Sequence, residues 1–447
     1  MPIKWLKKSI FVIVALVALL IPGAALAQNV LASHGDGGRH AKNVILFIGD
    51  GMGDSEITIA RNYYVGANGR LNMDRLPFIG ASTTYALQEA NPLLTEFVTD
   101  SAASGTGWAT GTKTSNGRIS TTAKTDIDLP TLLELAQKSG YLTGDVSTAE
   151  LTDATPAVLA SHVSNRNCQG PADMGSCPQD KISAGGPGSI AEQEVAHNIN
   201  VLLGGGKQRF DQLITDGKYA GKSVLESARN QGYTIATDAN SLKQSNGKHV
   251  LGLFNSGNMS LEWTGTPAQP YPGSGPQTCQ QNQRPANEPS LSDMTKKALD
   301  LLQNNHDNKN GFFLQVEGAS IDKQDHASSP CQQIGETIAF DNAIKQGMEF
   351  ARTHPDTLIL VTADHGHTSQ IIESPTNASQ PGAFSKLITK DGSIMCVSYA
   401  TAPVGASQSH TGTQVRIAAM GPDANKVMGV INQTDIFKII KERLSLR

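Results

Sequence analysis

The stretch Asn43-Val44-Ile45-Leu46-Phe47-Ile48-Gly49-Asp50-Gly51-Met52-Gly53-Asp54 is unbroken apolar sequence from Val44 to Ile48 and turns acidic only at Asp50. A strand with one face in water alternates apolar and polar residues, whereas a strand covered on both faces does not. The run therefore predicts a central strand of a parallel sheet, with helices on both sides. Asp50 then falls at the C-terminal edge of that strand, where open α/β sheets bind their ligands.

Working outward, the same pattern recurs. Gly311 to Val316, apolar but for Gln315, leads into Glu317, and Thr357 to Ala363, apolar but for its threonines, leads into Asp364. A shorter strand, Tyr141 to Val146, leads to Ser147 through Pro156 and then to Arg166, and a last strand spans Val415 to Met420. Helices are predicted between them. One opens at Asp128-Leu129-Pro130 and runs to Ser139, with Gly140 as its stop; a second spans Ser292 to Asn304, capped by Ser292. A third carries Phe340, Ile344, Met348 and Ala351 on one stripe, and a final helix near Thr434 to Arg443 closes the sheet. The alternation predicts an α/β fold with a large, mostly parallel central sheet flanked by helices on both faces.

Two stretches break the rhythm. Residues 167–190 are rich in Gly, Pro and Ser and read as surface, and residues 264–291 read as a long loop. Gly204-Gly205-Gly206 reads as a turn. Gly221-Lys222-Ser223 resembles the end of a P-loop, but Asp216 stands where the earlier glycine is needed, so it is not a nucleotide site.

The N-terminus carries Lys4, Lys7 and Lys8, an apolar run from Ile10 to Ile21, and Ala25-Leu26-Ala27. That order reads as a secretory signal peptide over 1–27, and the run is short of the roughly 20 residues that span a bilayer. Residues 28–447 are then one exported catalytic domain, periplasmic or secreted, with surface insertions near 167–190 and 264–291 and no stable membrane anchor. The formal charge of −4 becomes about −7 without the three leader lysines, and nothing in it points to a nucleic-acid partner, so none is expected. Export permits disulfides among the five cysteines. Four of them can pair in three ways; Cys168–Cys177, closing a short loop, and Cys279–Cys331 are preferred, leaving Cys396 as a buried thiol.

Chemistry concentrates in a few places. In Thr99-Asp100-Ser101-Ala102-Ala103-Ser104-Gly105 the small residues predict a serine at a helix start, where backbone N–H groups welcome an anion. No G-x-S-x-G elbow surrounds Ser101, so its hydroxyl needs an activator from elsewhere. Asp50, Glu317 and Asp364 all end apolar strands at one edge, and three carboxylates meeting there repel unless cations lie among them. Oxygen and imidazole donors without thiolates suit zinc, and an all-oxygen subset suits magnesium. Asp322 and His326, spaced i, i+4 on one helix face, could hold one zinc with His410 and an open position; Asp50, Asp364 and His365 could hold a second. Asp50 could reach onward to a harder cation bound by Glu317 and Thr155.

These motifs resemble the bacterial periplasmic alkaline phosphatase family, from about Asn43 to the C-terminus. The matching segments, in the family's order, are 49–53, Asp100-Ser101-Ala102-Ala103, Asp153-Ala154-Thr155-Pro156, 317–323, Ala363-Asp364-His365 and His410-Thr411-Gly412. The resemblance implies two zinc ions and one magnesium ion per subunit. Asp322, His326 and His410 would bind the first zinc, Asp50, Asp364 and His365 the second, and Asp50, Thr155 and Glu317 the magnesium. It further implies a phosphoserine at Ser101, a phosphate clamp at Arg166, supporting roles for Asp153 and Lys323, His367 behind the second zinc, and a homodimer. The expected reaction is hydrolysis of a broad range of phosphate monoesters, with transfer to alcohols as a side reaction. A sulfatase would need Pro and Arg where this chain has Ala103 and Gly105. A phosphodiesterase is the enzymatic alternative, and an exported phosphate- or metal-binding protein without turnover is the non-enzymatic one.

Overall fold

The computed structural model describes residues 42–447, so the leader expected at 1–27 lies outside the described residues. The large sheet has ten strands. They are β1 (Asn43–Gly49), β2 (Phe78–Thr83), β3 (Leu142–Glu150), β4 (Val201–Gly205), β5 (Tyr233–Ala236), β6 (His249–Leu253), β7 (Phe312–Gly318), β8 (Thr357–Ala363), β9 (Val415–Met420) and β10 (Gly429–Asn432). Their order is β10-β2-β9-β8-β1-β7-β3-β4-β6-β5, which puts β1 in the middle. Only β9 runs against the others, pairing antiparallel with β8 and β2.

Every residue of β1 is buried. Val44, Leu46 and Ile48 enter one apolar cluster and Ile45 and Phe47 the other, so the strand is covered on both faces as its composition requires. Helices α1 (Asp54–Tyr64), α2 (Ser101–Thr110), α3 (Leu132–Lys138), α4 (Ala154–Ala160), α5 (Leu291–Gln303), α6 (Ser320–His326), α7 (Pro330–Thr353) and α8 (Gln433–Arg443) supply the covering layers. Residues of α2, α3, α4 and α8 join the first cluster, and residues of α1, α5, α6 and α7 join the second.

Several local readings are corrected. Helix α3 starts after Pro130, because Thr131 forms a reciprocal cap with Glu134. Ser290 caps α5 in the same way with Asp293, displacing Ser292. The strand predicted to stop at Val146 continues to Glu150. Gly204 and Gly205 end strand β4 and only Gly206, at φ 89°, makes the turn. A side chain at 205 would strike the Gly257 carbonyl at 2.1 Å, so the glycine allows a neighbouring loop to cross the strand end.

The segment 167–190 winds through short 3-10 turns and buries Cys168, Met174 and Cys177, so it is less superficial than its composition implies. The segment 264–291 contributes Ser274–Gln277 to a second, four-stranded sheet with 370–372, 383–388 and 394–399. The disulfides are Cys168–Cys177 and Cys279–Cys331, and Cys396 is free and buried. Among the described residues no helix is long and apolar enough to cross a membrane.

Candidate active site

Strand register sets the site's first coordinates. Gly49 lies between Gly318 of β7 and Ala363 of β8, so Asp50 and Asp364, one residue further on, emerge side by side. Glu317 faces the same edge one position earlier, opposite Ile48. The reversal of β9 matters here, because residues preceding a reversed strand arrive at the edge where the other strands end. That brings His410 to the site, and the Gly366–Thr411 bridge fixes the approach. Gly51, at φ 65°, turns the chain away from β1; a Cβ there would meet the Asp322 backbone at 3.0 Å.

Helix α2 begins at Ser101. Asp100 caps it by accepting the Ala103 N–H at 2.9 Å, and also accepts the Gly117 N–H at 3.0 Å. The helix is buried along its whole length. Trp108 donates to Gln315 of β7 at 3.1 Å, and Gln315 donates to the Thr155 carbonyl at 2.8 Å, which ties α2, the sheet and α4 together. The Ser101 hydroxyl is thereby held 3.4 Å from Asp50 Oδ1 and 3.4 Å from His365 Nε2.

Around it lie two clusters of donors. In the first, Asp322 Oδ1 is 3.1 Å from His367 Nε2, 3.2 Å from His410 Nε2 and 3.4 Å from His326 Nε2. The ring nitrogens of His326 and His410 face one another at 3.1 Å. Their Nδ1 atoms are turned to the carbonyls of Gln408 and Thr99, which can only accept, so the Nε2 atoms present lone pairs inward. In the second cluster, His365 Nε2 is 3.1 Å from Asp364 Oδ2 and 3.4 Å from Asp50 Oδ1. Asp364 Oδ1 is already occupied by the N–H groups of Gly51 and His365, at 2.9 and 2.8 Å.

Both clusters fit metal ions. Asp364 Oδ2 and Thr155 Oγ1 are buried without a hydrogen-bond partner, and the Asp322 carboxylate faces the inward nitrogens of His326 and His410, donor sets that a cation would satisfy. The electrostatics agree. Burial, reinforced by the charges of Asp364, Asp322 and Glu317, pushes the Asp50 carboxyl well up. Burial likewise lifts Glu317 to about 7 against the opposing Ser147 hydrogen bond. Four carboxylates so placed stay ionised together only with positive charge among them.

Arg166 reaches the site from the other side. Its guanidinium holds Asp153 at 2.9 Å and Asp100 at 3.2 Å, and Lys323 holds the other oxygen of Asp153 at 2.7 Å. Burial would raise Asp153, but Lys323 and Arg166 outweigh it and hold the carboxyl well below its ordinary value.

The residues expected from the sequence thus converge, with one correction. His367, expected behind the Asp50–Asp364–His365 set, sits with Asp322, His326 and His410. The chain bends at Asp364 and His365 and is bridged to Thr411 at Gly366, and residues 365 and 367 face different clusters. Asp100 was not given a role by the sequence reading; its position as helix cap directly before Ser101 was the available signal. Gln408 and Ser147, which orient His326 and Glu317, carried no signal in a single sequence.

Comparison with known proteins identifies relatives of this chain. Residues 41–407 and 400–446 match the family described as alkaline phosphatase. Streptomycin-6-phosphate phosphatase of Streptomyces griseus is 47% identical, with 100% of this chain and 98% of that one covered. Alkaline phosphatase of Escherichia coli is 49% identical, covering 91% of this chain and 87% of its own. Among solved structures, Thermus thermophilus alkaline phosphatase superposes with a TM-score of 0.69 at 23% identity, with 96% of each chain covered, a likeness of fold.

Proposed function

The chain belongs to the alkaline phosphatase family and hydrolyses phosphate monoesters, and from that premise we propose that the reaction runs through a phosphoserine at Ser101. The observation that carries this reading is the placement of the Ser101 hydroxyl at the start of α2, 3.4 Å from both Asp50 and His365. We assign zinc to Asp322, His326 and His410, with His367 donating from Nε2 to Asp322 behind them, and to Asp50, Asp364 and His365. Magnesium is assigned to Asp50, Thr155 and Glu317. Such ions, when bound, acidify a coordinated hydroxyl and neutralise charge on the phosphoryl and leaving oxygens.

The chain's own residues do the rest. Arg166 binds two non-bridging phosphoryl oxygens through its planar fork, with Asp100 and Asp153 holding the fork in orientation. The N–H groups at the start of α2 lie beside the reacting phosphoryl group. Ser101 Oγ forms a bond to phosphorus as the ester oxygen leaves from the opposite side and takes up a proton to become the alcohol. In a second in-line step water adds to phosphorus, the bond to Ser101 Oγ breaks, and the serine recovers its proton. Two inversions retain configuration, and an alcohol replacing the water gives transfer. The clamp favours a doubly charged terminal phosphoryl group, hence monoesters over diesters.

We further read residues 28–447 as the exported catalytic domain, released from the leader 1–27 into the periplasm or medium, with a broad substrate range, and working as a homodimer.

The test is hydrolysis of a chromogenic phosphate monoester before and after chelation, with zinc and magnesium restored, beside the Ser101→Ala variant. Activity lost on chelation, recovered with both metals, and lowered on the order of 10^3-fold or more by Ser101→Ala with phosphate binding retained is the expected result. Equal loss of turnover and phosphate binding, or faster diester cleavage, contradicts it.

A further inference from the structure

Gln433 is a polar side chain with no exposed surface, on the first turn of the C-terminal helix α8. Its amide nitrogen donates to the backbone carbonyl of Asp364 at 3.0 Å and to the hydroxyl of Ser104. Ser104 in turn donates to the same Asp364 carbonyl at 2.7 Å. The carbonyl of a proposed metal ligand therefore receives two hydrogen bonds, one from the nucleophile helix and one from the last helix of the chain. Ser104 lies three residues after Ser101, on the same side of α2. Opposite Gln433 the helix carries Gly107, where a Cβ would stand 3.6 Å from the Gln433 amide oxygen.

Asp364 is consequently held at several points. Its carbonyl is fixed from the first face of the sheet, its Oδ1 by Gly51 and His365, and only Oδ2 is left free. Fixing both ends of the residue aims that one oxygen.

We propose that Gln433 is a positioning residue for the reaction: through the Ser104–Asp364 junction it sets the second donor cluster at its working distance from Ser101. The C-terminal helix is then part of the catalytic apparatus although none of its side chains reaches the substrate. This inference rests on the assignment of Ser101 and the second cluster given above.

The experiment compares wild type with Gln433→Met, which keeps length and volume but removes the donor, and Ser104→Ala, which removes the other bond to the same carbonyl. Zinc is titrated into chelated protein, its release to a competing chromophoric chelator is timed, and kcat and KM are measured after reloading. Gln433→Met is expected to weaken the tighter zinc class about 10- to 100-fold, the range of lost ligand-orienting contacts. It should lower kcat with little change in KM, and leave the weaker zinc class alone. Ser104→Ala should move the same quantities in the same direction. Unchanged zinc affinity and kcat in a folded Gln433→Met that merely melts earlier overturns the proposal. If Gln433→Met does not fold, Ser104→Ala decides by the same criteria. Failure of the underlying reading looks different: wild type would then turn over without metal, or Ser101→Ala would remain active.

Discussion

The two donor clusters lie side by side yet differ in how they are built. Asp50, Asp364 and His365 hang from two adjacent central strands, and their side chains are at most 5% exposed. Asp322, His326, His367 and His410 come from one short helix and the ends of two loops, and His326 is 32% exposed. The buried cluster has three donors and is fixed by sheet register. The open one also presents three, with His367 donating to Asp322 behind them, and can admit water. A nucleophile needs a fixed partner, and a departing alcohol and an incoming water need an opening, so the difference suits the two halves of the proposed reaction.

The largest expected effect tests that contrast directly. Asp364→Asn should lower kcat/KM on the order of 10^3-fold without rescue by excess zinc, since nothing else can reach the buried position. His326→Asn should cost about 10- to 100-fold and recover in part with excess zinc, because His410 and Asp322 remain. Kinetics of the two variants with and without added zinc check this, and the reverse ranking breaks the comparison.

Chelation gives a second reading of the same difference. Zinc release should be biphasic, the fast phase disappearing in His326→Asn and the slow phase in Asp364→Asn; a single phase common to both variants contradicts separate environments.

A smaller effect concerns what steadies the open side. Cys331 lies in the first turn of α7, just after α6 delivers Asp322 and His326. Its disulfide closes a separation of 52 residues against 9 for Cys168–Cys177. Loop entropy then assigns about 4 kcal/mol to the former and about 2.5 kcal/mol to the latter. Replacing each pair by serine should lower stability in that order, measured by denaturant unfolding, while the zinc content per folded chain stays the same. Unfolding midpoints unmoved by either replacement refute the expectation.

The smallest expected effect comes from a histidine outside both clusters. His162 Nδ1 also faces a carbonyl, that of Ser120 at 3.0 Å, but its Nε2 meets a single carboxylate, Glu134, at 3.1 Å. Burial lowers its proton affinity, and Glu134 more than restores it, so the folded pKa lies above the ordinary 6.5. A raised folded pKa means that this stabilisation is complete below 6.5 and lost as pH rises through the folded value. The stability gap between wild type and His162→Gln should therefore shrink from pH 6 to pH 9. A gap that stays constant would show that the ring acts by packing, and would weaken the use of hydrogen-bond partners to tell structural from ligating histidines.

Much of this architecture was legible in the chain itself. Largely apolar runs leading to Asp50, Glu317 and Asp364 marked central strands and placed the carboxylates at one edge, because a strand buried on both faces carries few polar positions and each of those must find a partner inside, as Gln315 does. Strands β2, β4 to β6 and β10 escaped notice, being no longer than six residues each and, apart from β5, containing glycine. The caps of α3 and α5 were displaced because a reciprocal Thr131–Glu134 or Ser290–Asp293 pair outcompetes a nearby proline or serine.

The sequence by itself determined the fold class, the donor types and the serine, since periodicity and residue chemistry are local properties. Tertiary structure alone decided that β9 runs backwards and so carries His410 to the shared edge. It likewise decided that His367 joins the open cluster, and that Gln433, from the far end of the chain, meets the Asp364 carbonyl. Each of these depends on which chain segments are brought side by side, and no single strand or helix encodes its neighbours.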